Sequence, residues 1–210
     1  MLITRSVHIT HQRITCDNQT VFETSDVNIF TEFIKAGFKS LNATYPKFYK
    51  MDSLSKLAFV ASEFLLRDQD IAQRYAPESI GLVFQNAASS IDIDKDHQLT
   101  IQDRANYFPS PALFVYTLPN IMMGEICIRN KFFGENALFI TEKFDAELLY
   151  NHITVMLAKH KMDACIAGWT NVEQEQYESF LLLIEPETMV SNSKEFRTFD
   201  AANILKLYTI

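Results

Sequence analysis

Hydrophobic and polar positions alternate between two periods along this chain. Leu2 to Thr10 is rich in β-branched residues and predicts a strand. Asp26 to Ala36 carries a weak helical pattern. From Met51 to Leu66 the pattern is clearer. Asp52 or Ser53 can cap a helix there, and Leu54, Leu57, Ala58, Ala61 and Leu65 fall on one face. Ser79 to Gln85 follows a Pro-containing turn and is apolar without alternation, which predicts a buried parallel strand. Leu118 to Arg129 is apolar almost all round, with Pro119 suited to a first helical turn, so a buried helix is expected.

Ala137 to Thr141 predicts another short strand. Asp145 to Lys161 predicts a helix whose apolar face is Leu148, Leu149, Ile153, Met156 and Leu157. It ends in Lys159, His160 and Lys161, where positive charge suits the helix dipole. Asp163 to Gly168 and Tyr177 to Ile184 predict strands. Strands separated by helices imply an α/β fold, a mixed, mostly parallel sheet with helices packed on its faces. There is no repeat and no linker-like stretch, so residues 1–210 are expected to form a single domain.

Composition narrows the function classes. The hydrophobic fraction of 48% and charged fraction of 21% are those of an ordinary globular chain. A net charge of −7 argues against nucleic-acid binding, which needs clustered Lys and Arg. Cys16, Cys127 and Cys165 are widely spaced and fit reduced thiols better than a disulfide framework or a zinc site. The first residues are too short and too broken for a signal peptide, and no apolar run approaches the ~20 residues of a membrane span. A cytoplasmic location with no membrane partner is expected.

The common catalytic signatures are missing: no Gly-rich phosphate loop, no Gly-x-Ser-x-Gly, no His-Glu-x-x-His. Asp92, Asp94, Asp96 and Asp103 are spaced like the ligands of a calcium loop. His97 stands where that loop turns on Gly, and Asp103 is shorter than the usual bidentate Glu. A solvated acidic loop is the plainer expectation. His152 is expected to pack beside an apolar helix face, and Glu173 and Glu175 to be surface carboxylates. Neither a metal nor a cofactor is expected.

Four stretches, in order, resemble the N-terminal half of the β-ketoacyl synthases, condensing enzymes with the thiolase-like fold. They are Phe48-Tyr49-Lys50-Met51-Asp52 before a helix, and Ile80 to Ala87 as a strand opening into a small-residue loop. Then come Pro109 to Arg129 followed by Gly134-Glu135-Asn136, and Asp163 to Thr170. The resemblance implies a nucleophilic Cys at the turn from a strand into a buried helix, where the helix dipole supports a thiolate. Ungapped counting puts that position at Lys143, with no Cys or Ser nearby, and Cys165 lies in a strand. The C-terminal histidines that such enzymes use fall outside the matched half.

The resemblance therefore implies a non-catalytic β-ketoacyl synthase-like protein. It would be a partner or chain-length-factor-like subunit in fatty-acid, polyketide or aryl-polyene-type synthesis, working with a β-ketoacyl synthase subunit and an acyl carrier protein. An acyl-chain or small-molecule binding module is the alternative, and a divergent acyltransferase using Lys143 a third. A homo- or hetero-oligomer is expected, because a free half exposes the face that the fold otherwise covers. The segment after Pro186 can cover part of that face with a short amphipathic element. In the family's dimers the strand before the Cys position lies at the interface, here Ala137 to Thr141. Candidate pocket or interface residues are Phe114, Leu118, Met122, Met123, Phe139, Thr141 and Lys143.

Overall fold

The computed structural model describes residues 1–25, 29–190 and 196–209. Its first part is β1 (Leu2–Thr10), β2 (Arg13–Cys16), β3 (Gln19–Glu23), α1 (Phe30–Ser40), α2 (Ser53–Leu66) and α3 (Ile71–Arg74). Next come β4 (Ile80–Asn86), α4 (Ile91–Ile101), α5 (Pro111–Phe114), α6 (Ile121–Asn130) and β5 (Asn136–Ile140). The chain closes with α7 (Ala146–Ala158), β6 (Ala164–Glu173), β7 (Gln176–Glu185), β8 (Arg197–Thr198) and α8 (Ala201–Tyr208).

The strands form one mixed 8-stranded sheet in the order β3-β2-β1-β7-β6-β4-β5, with β8 added to β1. β5 pairs parallel with β4, and β4 parallel with β6. β7 runs antiparallel to both β6 and β1. In direction, β1, β3, β4, β5 and β6 agree, while β2, β7 and β8 oppose them. Every residue of β4 is buried, as a parallel strand covered on both faces requires.

Two apolar layers sandwich the sheet. On one face, α1, α2 and α6 pack Phe33, Phe38, Phe59, Leu65 and Ile126 against Leu82, Phe84 and Ile166. On the other, α7 and α8 pack Leu149, Ile153, Ile204 and Leu207 against Val83, Ala167 and Leu182. Each such fully buried side chain contributes about 1.5–3 kcal/mol of transfer free energy. α2 shows how sequence sets this. The Asp52 carboxylate accepts from the Leu54 and Ser55 backbone N–H groups and starts the helix. Leu54, Leu57, Ala58, Ala61 and Leu65 are buried as expected, but so are Phe59, Val60 and Phe64, so α2 is a core helix rather than an amphipathic one.

Gly168 lies at φ +154° in β6, and a Cβ there would collide with the Phe180 carbonyl oxygen of β7. Only glycine allows the two strands to approach so closely at this point.

Several expectations need correction. The first helix is α1, starting at Phe30, later than the weak pattern over Asp26 to Ala36 suggested; residues 26–28 lie outside the described ones. α6 begins at Ile121 with Asn120 as its cap, so Pro119 precedes the helix. Nor is this segment buried all round, for Leu118 and Ile128 are exposed. The acidic stretch is helix α4 for most of its length, not a loop. In a helix, residues two apart point about 200° away from each other, so Asp92 and Asp94 cannot converge as calcium ligands. α8 is the amphipathic element after Pro186, and it buries Ile204 and Leu207.

Candidate functional site

The turn from β5 into α7 is built from both sides. Thr141 continues the β5 ladder by donating its backbone N–H to the Asn86 carbonyl oxygen at 2.9 Å. Asp145 then caps α7, accepting from the Leu148 backbone N–H at 2.9 Å. Gln85, fully buried at the end of β4, grips Asp145. Its amide donates to the Asp145 carbonyl oxygen and accepts from the Asp145 N–H, both at 2.8 Å. Phe144 is buried, with its ring against Phe180 at 5.6 Å and Tyr208 at 4.5 Å.

Lys143 stands on this turn in solvent. It lines an open groove with Thr141 and Asp145 on one side, and Ala201, Leu205 and Tyr208 of α8 on the other. A lysine acts as a nucleophile when desolvation strips its proton, and this groove does not bury it. The Thr141 hydroxyl is buried without a hydrogen-bond partner among the described residues.

The neighbouring carboxyl ends of β4 and β6 are tied together. Asn86 donates to the Thr170 carbonyl oxygen at 2.7 Å and accepts from the Ser89 backbone N–H. The Asn171 side chain accepts from the backbone N–H groups of Ala87 and Ala88 at 3.1 and 2.8 Å. These bonds hold the small-residue loop after β4 against β6.

The candidate residues do not form one cluster. Met122 and Met123 are buried in the layer with α2, on the opposite face of the sheet from Phe139 and α7. Phe114 and Leu118 are exposed; the Phe114 ring lies 5.6 Å from His97. Phe139, half-buried, packs edge-on against His152 at 4.9 Å, so that histidine serves packing as expected.

None of the three thiols is activated. Burial pushes Cys165 and Cys16 up, and Cys127 likewise, with Asn136 at 3.7 Å only partly offsetting it.

Sequence reasoning missed two polar clusters. Glu125, buried in α6, receives Lys47 at 2.8 Å and the Tyr116 hydroxyl at 3.2 Å. Glu178 on β7 joins His8 Nε2 at 2.9 Å and accepts from the Tyr208 hydroxyl at 2.8 Å, fastening α8 to the sheet. A lone Glu inside the otherwise apolar run of α6 was the available signal for the first. The second links residues 170 positions apart and leaves no local trace.

No protein-family model matches the chain, and no curated protein sequence does. Solved structures do match. The ishigamide ketosynthase/chain length factor superimposes with a TM-score of 0.65 at 17% identity, over 90% of this chain and 63% of that one. This is a ketosynthase/chain-length-factor fold. A chain from the type II polyketide synthase complex AntDE:AntF, an acyl-carrier protein with its hexaketide-bound ketosynthase, aligns at TM-score 0.61 and 11% identity. That match covers 93% of this chain and 65% of the other. A chain from the ketosynthase ApeO in complex with its chain length factor ApeC, from Xenorhabdus doucetiae, aligns at TM-score 0.53 and 12% identity. It covers 88% and 79%. The chain thus spans 63 and 65% of the length of the first two of these structures. The thiolase-like architecture expected from the four motifs is present.

Proposed function

We propose that this protein is a non-catalytic ketosynthase-like partner subunit of the chain-length-factor type. It pairs with an active β-ketoacyl synthase that is served by an acyl carrier protein, in polyketide, fatty-acid or aryl-polyene-type synthesis. The observation that carries this reading is the turn into α7. The fold supplies the strand, the turn and the capped helix, and the turn bears a solvent-exposed Lys143 where the family resemblance implies the nucleophilic Cys. The scaffold is kept and the reactive group is replaced. On this reading residues 1–210 act as one synthase-like domain in the cytoplasm; among the described residues no single helix is long and apolar enough to cross a membrane.

The alternative of an acyl-chain binding module draws less support. Met122 and Met123, the side chains proposed to line such a pocket, are packed into the main core.

The test is acyl loading. The purified protein is incubated with an acyl-carrier thioester and digested for peptide mass spectrometry. A partner subunit acquires no acyl group on the peptide containing Lys143. Stoichiometric acylation there would overturn the reading and favour a divergent acyltransferase.

A further inference from the structure

β1 is interrupted on its outer edge. β2 pairs with it from Val7 to Thr10, and β8 pairs with Leu2 and Ile3. Between these two partners Asp17 bridges the edge. Its backbone N–H donates to the Ser6 carbonyl oxygen at 2.9 Å, and its carboxylate accepts from the Ser6 backbone N–H at 2.8 Å. Beside this bridge lies an open notch of about 610 Å³, between the β2–β3 hairpin and the β8–α8 arm. β1 runs in the same direction as β4, β5 and β6. The notch therefore lies toward the amino ends of these strands, away from the α7 turn, and it shares no lining residue with the Lys143 groove.

Two arginines, Arg5 and Arg197, line the notch. A β-bulge between Ile3 and Arg5 shifts the register of β1 against β7, and bulges re-aim side chains. The Arg5 Nη1 donates to the carbonyl oxygen of Arg67, the C-cap of α2, at 2.8 Å. Its Nε is buried with no hydrogen-bond partner among the described residues. Arg197 comes from β8, opposite Ile3. Among the described residues neither guanidinium lies within ion-pair distance of a carboxylate. Asp17 also lines the notch, but its carboxylate is engaged by the Ser6 N–H. Cys16 adjoins Arg5, yet burial pushes its thiol up, so it stays neutral and offers no counter-charge. A guanidinium with a buried, unsatisfied N–H carries a free-energy cost that an anionic ligand relieves. In a chain of net charge −7, two unpaired cations on one notch mark a place for an anion.

We propose that this notch binds a small organic anion whose carboxylate or phosphate group is held by the Arg5 and Arg197 guanidiniums. The guanidinium fork matches either oxyanion. The notch is larger than one inorganic ion requires and falls in the size range of small-molecule sites. Ile3 and Leu207 on its floor, and Val21 on its rim, supply apolar surface for the rest of the ligand. The bound anion joins β1 to the β8–α8 arm across the gap. The proposal stands independently of the partner-subunit reading.

The experiment is calorimetric titration of the full chain with inorganic phosphate and with butyrate, at an ionic strength held constant with sodium chloride. Binding of at least one probe at a single site is expected. At ten times its dissociation constant that probe raises Tm by about 3–6 °C. Tighter binding of phosphate assigns a phosphate ester as the ligand class, and tighter binding of butyrate a carboxylate with an apolar tail. Arg197→Gln, on a two-residue edge strand, weakens the bound probe at least about tenfold. Arg5→Lys keeps the charge but removes the fork, and weakens it likewise. Should Arg5→Lys fail to fold, Arg197→Gln decides alone. Failure of both probes to bind at millimolar concentration, or an affinity unchanged by Arg197→Gln, would overturn the proposal.

Discussion

Gln85 holds Asp145 by both of its backbone polar groups, accepting from the N–H and donating to the carbonyl oxygen, each at 2.8 Å. One buried amide thereby fixes where α7 begins relative to β4, and with it the position of Lys143. Gln85→Leu removes both bonds and leaves the Asp145 groups without that partner. The expected cost is about 2 kcal/mol in urea-induced unfolding. An unchanged midpoint would show that the turn stands without this clamp.

Gly168 offers a sharper structural test. At φ +154°, against the Phe180 carbonyl, it admits no side chain. Gly168→Ala should destabilise the protein by at least about 2 kcal/mol. In a chain of this size that lowers Tm by roughly 5 °C or more, measured by circular dichroism. A neutral substitution would contradict the strand packing described for β6 and β7.

The clamp on α8 makes stability depend on pH. Burial works to raise the Glu178 carboxyl, but the hydrogen bonds from His8 and Tyr208 outweigh it and hold the group below its ordinary range. A carboxyl depressed in the folded state binds its proton less readily than in the unfolded chain. Its contribution is fully present above the unfolded value of about 4.3 and is lost as pH falls through the lower folded value. Glu178→Gln should therefore flatten the acid limb of a Tm-against-pH curve. An acid limb as steep as the wild type's would remove Glu178 from the account.

Thiol accessibility checks the reading of the cysteines. Cys165 is fully buried and Cys16 nearly so, and burial pushes both thiols up. A maleimide reagent at neutral pH should modify Cys127 first, and slowly, because its thiol is also raised and only partly exposed. Cys16 and Cys165 should react only on unfolding. Rapid labelling of Cys165 in the native protein would reopen it as a reactive group.

The parts of the fold that could be read from the sequence are those with local causes. The Asp52 cap, the all-apolar run of β4 and the Leu149/Ile153 stripe of α7 each state their structure within a few residues. The β2–β3 hairpin was missed because it is short and largely polar on its outer strand. The acids of α4 suggest a loop of ligands when only their spacing is considered, although Asp92 and Asp94 favour a helix N-terminus through the dipole. At the candidate site, counting residues between two motifs leads to Lys143, an exposed residue on the turn before α7. Gln85 and the His8–Glu178–Tyr208 cluster could not be read, since their partners come from distant strands. The placement of Met122 and Met123 also depends on tertiary packing, because an apolar residue in a helix looks the same whether it lines a pocket or fills a core.

On the proposed reading, this protein serves a synthase without performing the condensation. Tagged protein purified from its own host, with mass spectrometry of what accompanies it, tests this most directly. Recovery of a full-length β-ketoacyl synthase in near-stoichiometric amount, with or without an acyl carrier protein, is the predicted result. Recovery of the protein alone, with no synthase and no carrier, would contradict it.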